Sequence, residues 1–183
     1  MAKAGVSGGK LKQPVNRHLT GLTGEFVVAA ELARTGFSVA IPSGNAVAFD
    51  LLAYRDKQQL TVQVKSTSGA SIQLNLGRFL NIETDLENGQ QVIHDSRLDV
   101  DGSLLVVAVF IGQTIGSDRF YCAWARDFVE FVAEKHGQYL SQHGGMRPGL
   151  NKASLHAAFK ELQLRDDKRF KTLHEILKTG QHA

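Results

Sequence analysis

Asp50 interrupts an apolar run that otherwise extends from Ala46 to Ala53, and shortly afterwards Leu60, Val62 and Val64 alternate with Thr61, Gln63 and Lys65. This pattern confines the stretch to two neighbouring β-strands joined by a polar turn from Arg55 to Gln59. Side chains alternate along a strand, so Gln63 and Lys65 share one face, one pleat apart, while the other face is aliphatic. If the strands pair as a hairpin, Asp50 comes close to Gln63 and Lys65. An acid, an amide oxygen and an ammonium group then converge at one spot.

What such a cluster can do follows from charge. A carboxylate and neutral oxygens are hard donors that suit a magnesium-type ion, which keeps several of its waters. The ammonium cannot ligate a cation. It can orient or help deprotonate a water, or neutralise charge developing on a phosphate. The combination fits metal-assisted hydrolysis of a phosphodiester, with a structural Asp50–Lys65 ion pair as the plainer reading. Upstream, Gly21 to Leu32 reads as a helix that stops at Gly36. At about 100° per residue, Leu22, Phe26, Ala29, Leu32 and Ala33 form one apolar stripe. Glu25 falls inside that stripe, whereas Glu31 lies opposite it. A carboxylate on a buried face is costly unless paired or metal-bound.

Asp50 followed by Gln63-Val64-Lys65 resembles the active-site signature of the PD-(D/E)XK nuclease superfamily, the restriction-endonuclease-like fold. Gln63 stands where the usual member has an acid, and some members, Mrr-type restriction endonucleases among them, carry glutamine there. Phe49 stands in the loosest position of the motif, in place of proline. Many members also place a glutamate on the first core helix, and Glu25 matches that place. The resemblance is strongest over residues 21–68. It implies an α/β fold with an αβββαβ core, a mixed central sheet flanked by helices. It further implies a metal-dependent endonuclease that hydrolyses DNA phosphodiester bonds with Mg2+ or Mn2+. Glu25, Asp50, Gln63 and the Val64 carbonyl are then the expected ligands, and Lys65 positions or activates the attacking water. Gln63 lowers the charge of the site, so a catalytically inactive nucleic-acid-binding or regulatory protein on the same fold is the alternative.

The chain has 183 residues, 43% hydrophobic and 21% charged, enough for one domain with a real core. No run approaches the roughly 18 apolar residues of a membrane span, and the N-terminus lacks a signal-peptide core. The single cysteine, Cys122, excludes an internal disulfide and a four-cysteine zinc site and reads as a core residue. A cytoplasmic protein is the expectation. The net charge of +3 gives a mild lean toward polyanions such as DNA. Residues 1–18 carry Lys3, Lys10, Lys12 and Arg17 with no acid, which reads as a flexible basic arm or a solubilising tail.

Residues 19–137 form the expected nuclease-like core. Phe37 to Ile41 reads as a short strand, which Pro42 ends or keeps at an edge, and Ser43-Gly44-Asn45 as a loop. Residues 70–102 read as a β excursion, with Asn88-Gly89 as a hairpin signal. From 81 to 101 it holds six acids against Arg97 alone, so this face is expected to point away from nucleic acid and to serve a partner or a dimer. Leu104 to Ile111 reads as a central buried strand. Arg119 to Trp124 is another, followed by a helix from Ala125 that stops at Gly137. Residues 138–183 read as a helical C-terminal appendage. There, Leu155, Ala158, Phe159 and Leu162 recur at helical spacing, and a last helix carries Phe170, Leu173, Ile176 and Leu177. From Arg147 to Lys178 there are eight bases against four acids. Arg147, Lys152, His156 and Lys160 are the expected contacts to a nucleic-acid backbone. The seven histidines show no metal-ligand spacing and read mostly as surface residues. Cutting both strands of a duplex usually takes two active sites, for which a homodimer would serve.

Overall fold

The strand that carries Gln63 and Lys65 is the longest among the described residues and sits in the middle of the central sheet. The computed structural model describes residues 16–42, 49–96, 104–148 and 153–178. The central sheet has five strands: β1 (Ser38–Ala40), β2 (Leu51–Arg55), β3 (Gln58–Thr67), β7 (Leu104–Phe110) and β8 (Arg119–Trp124). Their spatial order is β1-β2-β3-β7-β8, with β3 and β7 parallel and every other neighbour antiparallel. The expected hairpin is present, with Leu51 opposite Val62 and Arg55 opposite Gln58. Asp56 takes a positive φ of 54° at its tip. β1 lies at an edge, as Pro42 requires of the strand it follows.

β7 is apolar throughout because both of its faces are covered. Leu105, Val107 and Val109 pack with Leu51, Ala53, Leu60, Val62 and Val64 beneath α1 (Arg17–Arg34) and α4 (Leu173–Lys178). Val106, Ala108 and Phe110 pack on the other side with Phe128, Phe131 and Val132 of α2 (Ala125–Gln142). Cys122 is fully buried in the first of these cores, and burial pushes its thiol pKa up, so it stays a protonated packing residue.

A parallel pair needs a crossover, usually a helix. Here the β3-to-β7 crossover is the expected β excursion: β4 (Ser71–Asn75), a 3-10 turn at Leu76–Arg78, then the hairpin of β5 (Leu80–Thr84) and β6 (Gln91–Ser96). Gly89, at φ 79°, lies in the turn that the Asn-Gly pair signals. Ile72, Leu74, Leu80 and Ile82 point into the α2-side core.

Several expectations are corrected. Arg17 and His18 are not arm residues; they open α1, whose N-terminus is capped by the Asn16 side chain accepting from the His18 and Leu19 N–H groups. The remainder of the basic arm, the Ser43-Gly44-Asn45 loop and Lys152 lie outside the described residues. α2 runs past Gly137 to Gln142, because its buried line continues through His136 to Leu140. Residues 156–160 are a strand, β9 (His156–Lys160), not a helix. They pair antiparallel with β4, putting Phe159 opposite Ile72 and Ala157 opposite Leu74. Period two also fits Ala157 and Phe159, and the open edge of β4 decides between the two periods. Finally, Phe170 precedes the last helix. That helix is opened by a capping box in which Glu175 accepts from the Thr172 N–H at 2.8 Å and Thr172 accepts from the Glu175 N–H at 3.3 Å. The short α3 (Glu161–Arg165) supplies Leu164 to the α2-side core, so the C-terminal region is built into both faces of the sheet.

His136 is not a surface residue. It is 2% exposed and its Nε2 lies 2.9 Å from the Gln91 side-chain oxygen, which makes it a neutral Nε2–H donor. Burial, helped by the Arg147 charge, lowers its pKa from 6.5 to about 4. The folded protein therefore binds this proton less readily than the unfolded chain. The resulting stability is fully present above pH 6.5 and is lost as pH falls toward 4. Urea unfolding across that window should show His136→Gln losing less stability than wild type, by up to about 3 kcal/mol.

Candidate active site

The site begins with where β2 starts. Leu51 is opposite Val62, so Asp50 stands at the mouth of the hairpin, beside the part of β3 that carries Gln63, Val64 and Lys65. Its backbone N–H donates to the Val62 carbonyl at 2.8 Å. Its carboxylate Oδ2 accepts from the Val64 N–H at 2.6 Å. The Asp50 side chain thus takes the place that a neighbouring strand's carbonyl would hold, and is fixed against the β3 backbone. In an extended strand a residue's N–H and C=O project to the same side, so the Val64 carbonyl faces this edge too.

Gln63 and Lys65 lie on the face opposite Val62 and Val64, in register with Val106 and Ala108 of β7. The Gln63 Oε1 is buried and has no hydrogen-bond partner among the described residues. A buried acceptor left so costs about 1–3 kcal/mol. Burial lowers the Lys65 pKa, Asp50 works against that shift, Arg78 adds to it as a like charge, and Glu25 opposes it.

Glu25 reaches the same place from α1. Burial raises its pKa, the Asp50 carboxylate raises it further, and Lys65 and His18 pull it down. The three charged groups therefore share one electrostatic neighbourhood with Gln63 and Val64. The helix face that delivers Glu25 differs from the expected one. Gly24, Val28 and Leu32 form the buried line, while Phe26 is 59% exposed and Ala33 is exposed. The cause is Gly24. A Cβ there would lie 2.4 Å from the Ser66 Cβ and 2.6 Å from its Oγ. The absent side chain lets α1 rest directly on β3, and the Ser66 hydroxyl donates to the Thr20 carbonyl at 2.9 Å. Glu25 is the next residue. Sequence reasoning missed Gly24 and Ser66 as positioning residues; a glycine beside an acid on a helix's inner face was the available signal. It also missed Arg78, which no pattern marks.

A hard divalent cation fits this donor set. Two nearby carboxylates repel each other, a buried amide oxygen lacks a donor, and a carbonyl faces the same edge. Among the described residues no group of three His, Cys, Asp or Glu side chains could hold a metal ion, so a site here depends on Gln63 and the backbone as well as on Glu25 and Asp50.

Of the expected backbone contacts, Arg147 and His156 meet: the Arg147 Nη2 donates to the His156 carbonyl at 2.5 Å. Lys160 is exposed on the same face of β9 as His156, opposite Ser71.

Residues 15–153 match the family described as PD-(D/E)XK endonuclease, and the chain belongs to that family. The mixed five-stranded sheet flanked by helices is the restriction-endonuclease-like fold. A solved bacterial homing endonuclease is similar over 89% of this chain and 94% of its own, at 17% sequence identity and a TM-score of 0.48. No curated protein sequence matches the chain. Among the described residues no helix is long and apolar enough to cross a membrane.

The close α1–β3 contact gives a direct test. Gly24→Ala should destabilise the protein by about 1–3 kcal/mol through overpacking. Thermal melting should show that penalty shrinking in a Ser66→Gly background, where the opposing Cβ is gone.

Proposed function

We propose that this chain is a divalent-metal-dependent endonuclease that hydrolyses DNA phosphodiester bonds at the mouth of the β2–β3 hairpin. The observation that supports the reading is the Gln63 side-chain oxygen, buried and without a hydrogen-bond partner among the described residues, on the strand that also carries Lys65, whose charge the Asp50 and Glu25 carboxylates act on. Glu25, Asp50, the Gln63 amide oxygen and the Val64 carbonyl would hold a Mg2+ or Mn2+ ion. The ion supplies Lewis-acid polarisation of water and phosphate and neutralises developing charge.

The remaining work belongs to the protein's own groups. The Val64 N–H holds one Asp50 oxygen in place and leaves the other available. Lys65, partly desolvated and with its pKa lowered, is suited to hold the attacking water and to accept or relay its proton. In the net reaction the water oxygen bonds to phosphorus, one P–O ester bond breaks, and a proton reaches the leaving oxygen. Gln63 supplies the donor atom that an acid supplies elsewhere in the family, with one negative charge fewer. Arg147, His156 and Lys160 serve as DNA-backbone contacts in this reading, together with Lys152. Two copies in a homodimer would cut both strands, in a cytoplasmic setting.

Cleavage of supercoiled, linear and branched DNA should require Mg2+ or Mn2+. It should fall by about 10²-fold or more in Lys65→Ala and in Asp50→Ala. DNA binding without cutting in any of these substrates, unaffected by either substitution, would replace the reading with a binding protein on a retired nuclease fold.

A further inference from the structure

Two surface depressions meet at His156. One, of about 500 Å³, lies where β3 ends beyond Lys65, and Arg17, Ser68, Gln73 and Asn75 line it beside His156. The other, of about 280 Å³, lies between α2 and β9, with Lys135, Tyr139, Arg147 and Gln163 beside His156. Among the described residues, no aspartate or glutamate lines either one. A third depression, on the outer side of α1, is different: Glu31 and Asp118 line it together with the exposed Phe26 and Ile115.

The first two are rich in donors. The Asn75 Oδ1 accepts from the Gly77 N–H and the Gln163 Oε1 accepts from the Lys160 N–H, bonds that occupy each amide's oxygen and not its NH2 group. Among the described residues neither Arg17 nor Arg147 pairs with a carboxylate. Arg147 is held in position at its backbone by its N–H on the Gly89 carbonyl at 2.9 Å and at its guanidinium by the His156 carbonyl. Lys135 is partly neutralised, since its Nζ is 3.1 Å from Glu134. His136 is buried and hydrogen-bonded, and contributes shape rather than charge. Arginines and amide donors without acids are what a phosphate backbone requires.

We infer that the two depressions form one track for the DNA strand that leads away from the cleaved phosphodiester. Arg17 takes a phosphate near the site, His156 lies at the junction, and Arg147 takes a phosphate farther along. This rests on the nuclease reading for the track's starting point, but its test does not require cutting. Binding of a fluorescein-labelled DNA duplex to the full chain is followed by anisotropy in EDTA over a series of salt concentrations. Each phosphate that is no longer neutralised should make the slope of log K against log salt shallower by about 0.9. In the double variant Arg17→Gln, Arg147→Gln the slope should therefore be shallower by about two units. That variant should bind at least about 10-fold more weakly at low salt, while melting like wild type. Arg147→Lys should keep the slope, and Arg34→Gln, at the third depression, should change neither quantity. A double variant with wild-type affinity and slope overturns the track, even if the wild-type protein cuts DNA. So does a wild-type protein that binds no DNA. A protein whose double variant weakens as expected, yet which never cuts, supports the track and refutes the nuclease reading alone.

Discussion

The contact between Gly24 and Ser66 is the constraint on which the site depends. Without a side chain at Gly24, α1 lies against β3 closely enough for Ser66 to bond the Thr20 carbonyl. Glu25 is thereby brought to the end of β3 that holds Gln63, Val64 and Lys65. Asp50 arrives from the other direction, fixed by the Val64 N–H. The site is thus assembled from a helix on one face of the sheet and side chains on the other, meeting where β2 begins. Such an assembly is costly in the free protein. The Asp50 carboxylate raises the proton affinity of Glu25, Lys65 is partly desolvated, and Gln63 gives up a hydrogen bond. The apolar layers on both faces of β7 offset that cost, and a bound cation would relieve much of it.

The rest of the chain serves this arrangement. The β3–β7 crossover packs the β5–β6 hairpin against the α2-side core. The C-terminal segment returns through β9 to close the edge of β4. That pairing brings His156 beside Arg147, whose loop is tied to the hairpin turn through Gly89. The two depressions, which no described aspartate or glutamate lines, are therefore a product of how the excursion and the tail fold on each other, rather than of a basic segment acting alone.

Much of this was legible in the sequence, for identifiable reasons. The β2–β3 hairpin, β7 and β8 could be read because period two and a doubly buried apolar run are strong local signals. Asp50 and Lys65 stood out because charged residues in such strands need a reason. Phe26 outweighs a glycine on any scale of hydrophobicity, so the sequence points to the wrong face of α1, whereas close packing favours Gly24. The segment of β9 reads as a helix because Leu155, Ala158, Phe159 and Leu162 recur at helical spacing; Ala157 and Phe159 also fit period two, and only the free edge of β4, remote in sequence, decides. The Thr172–Glu175 pair is a local capping-box signal, and it leaves Phe170 ahead of the last helix. The burial of His136 depends on Gln91, 45 residues away, and no local pattern carries it.

The central claim is that Gln63 completes a cation site that the acids alone do not make. Calorimetric titration of the protein with Mn2+, in the absence of DNA, tests it most directly. The account predicts binding by the wild-type protein, at least about 10-fold weaker binding by Gln63→Leu through loss of a buried ligand, and none by Asp50→Ala, with all three proteins folded. Titrations that agree across the three proteins, or no Mn2+ binding by the wild type, would contradict it.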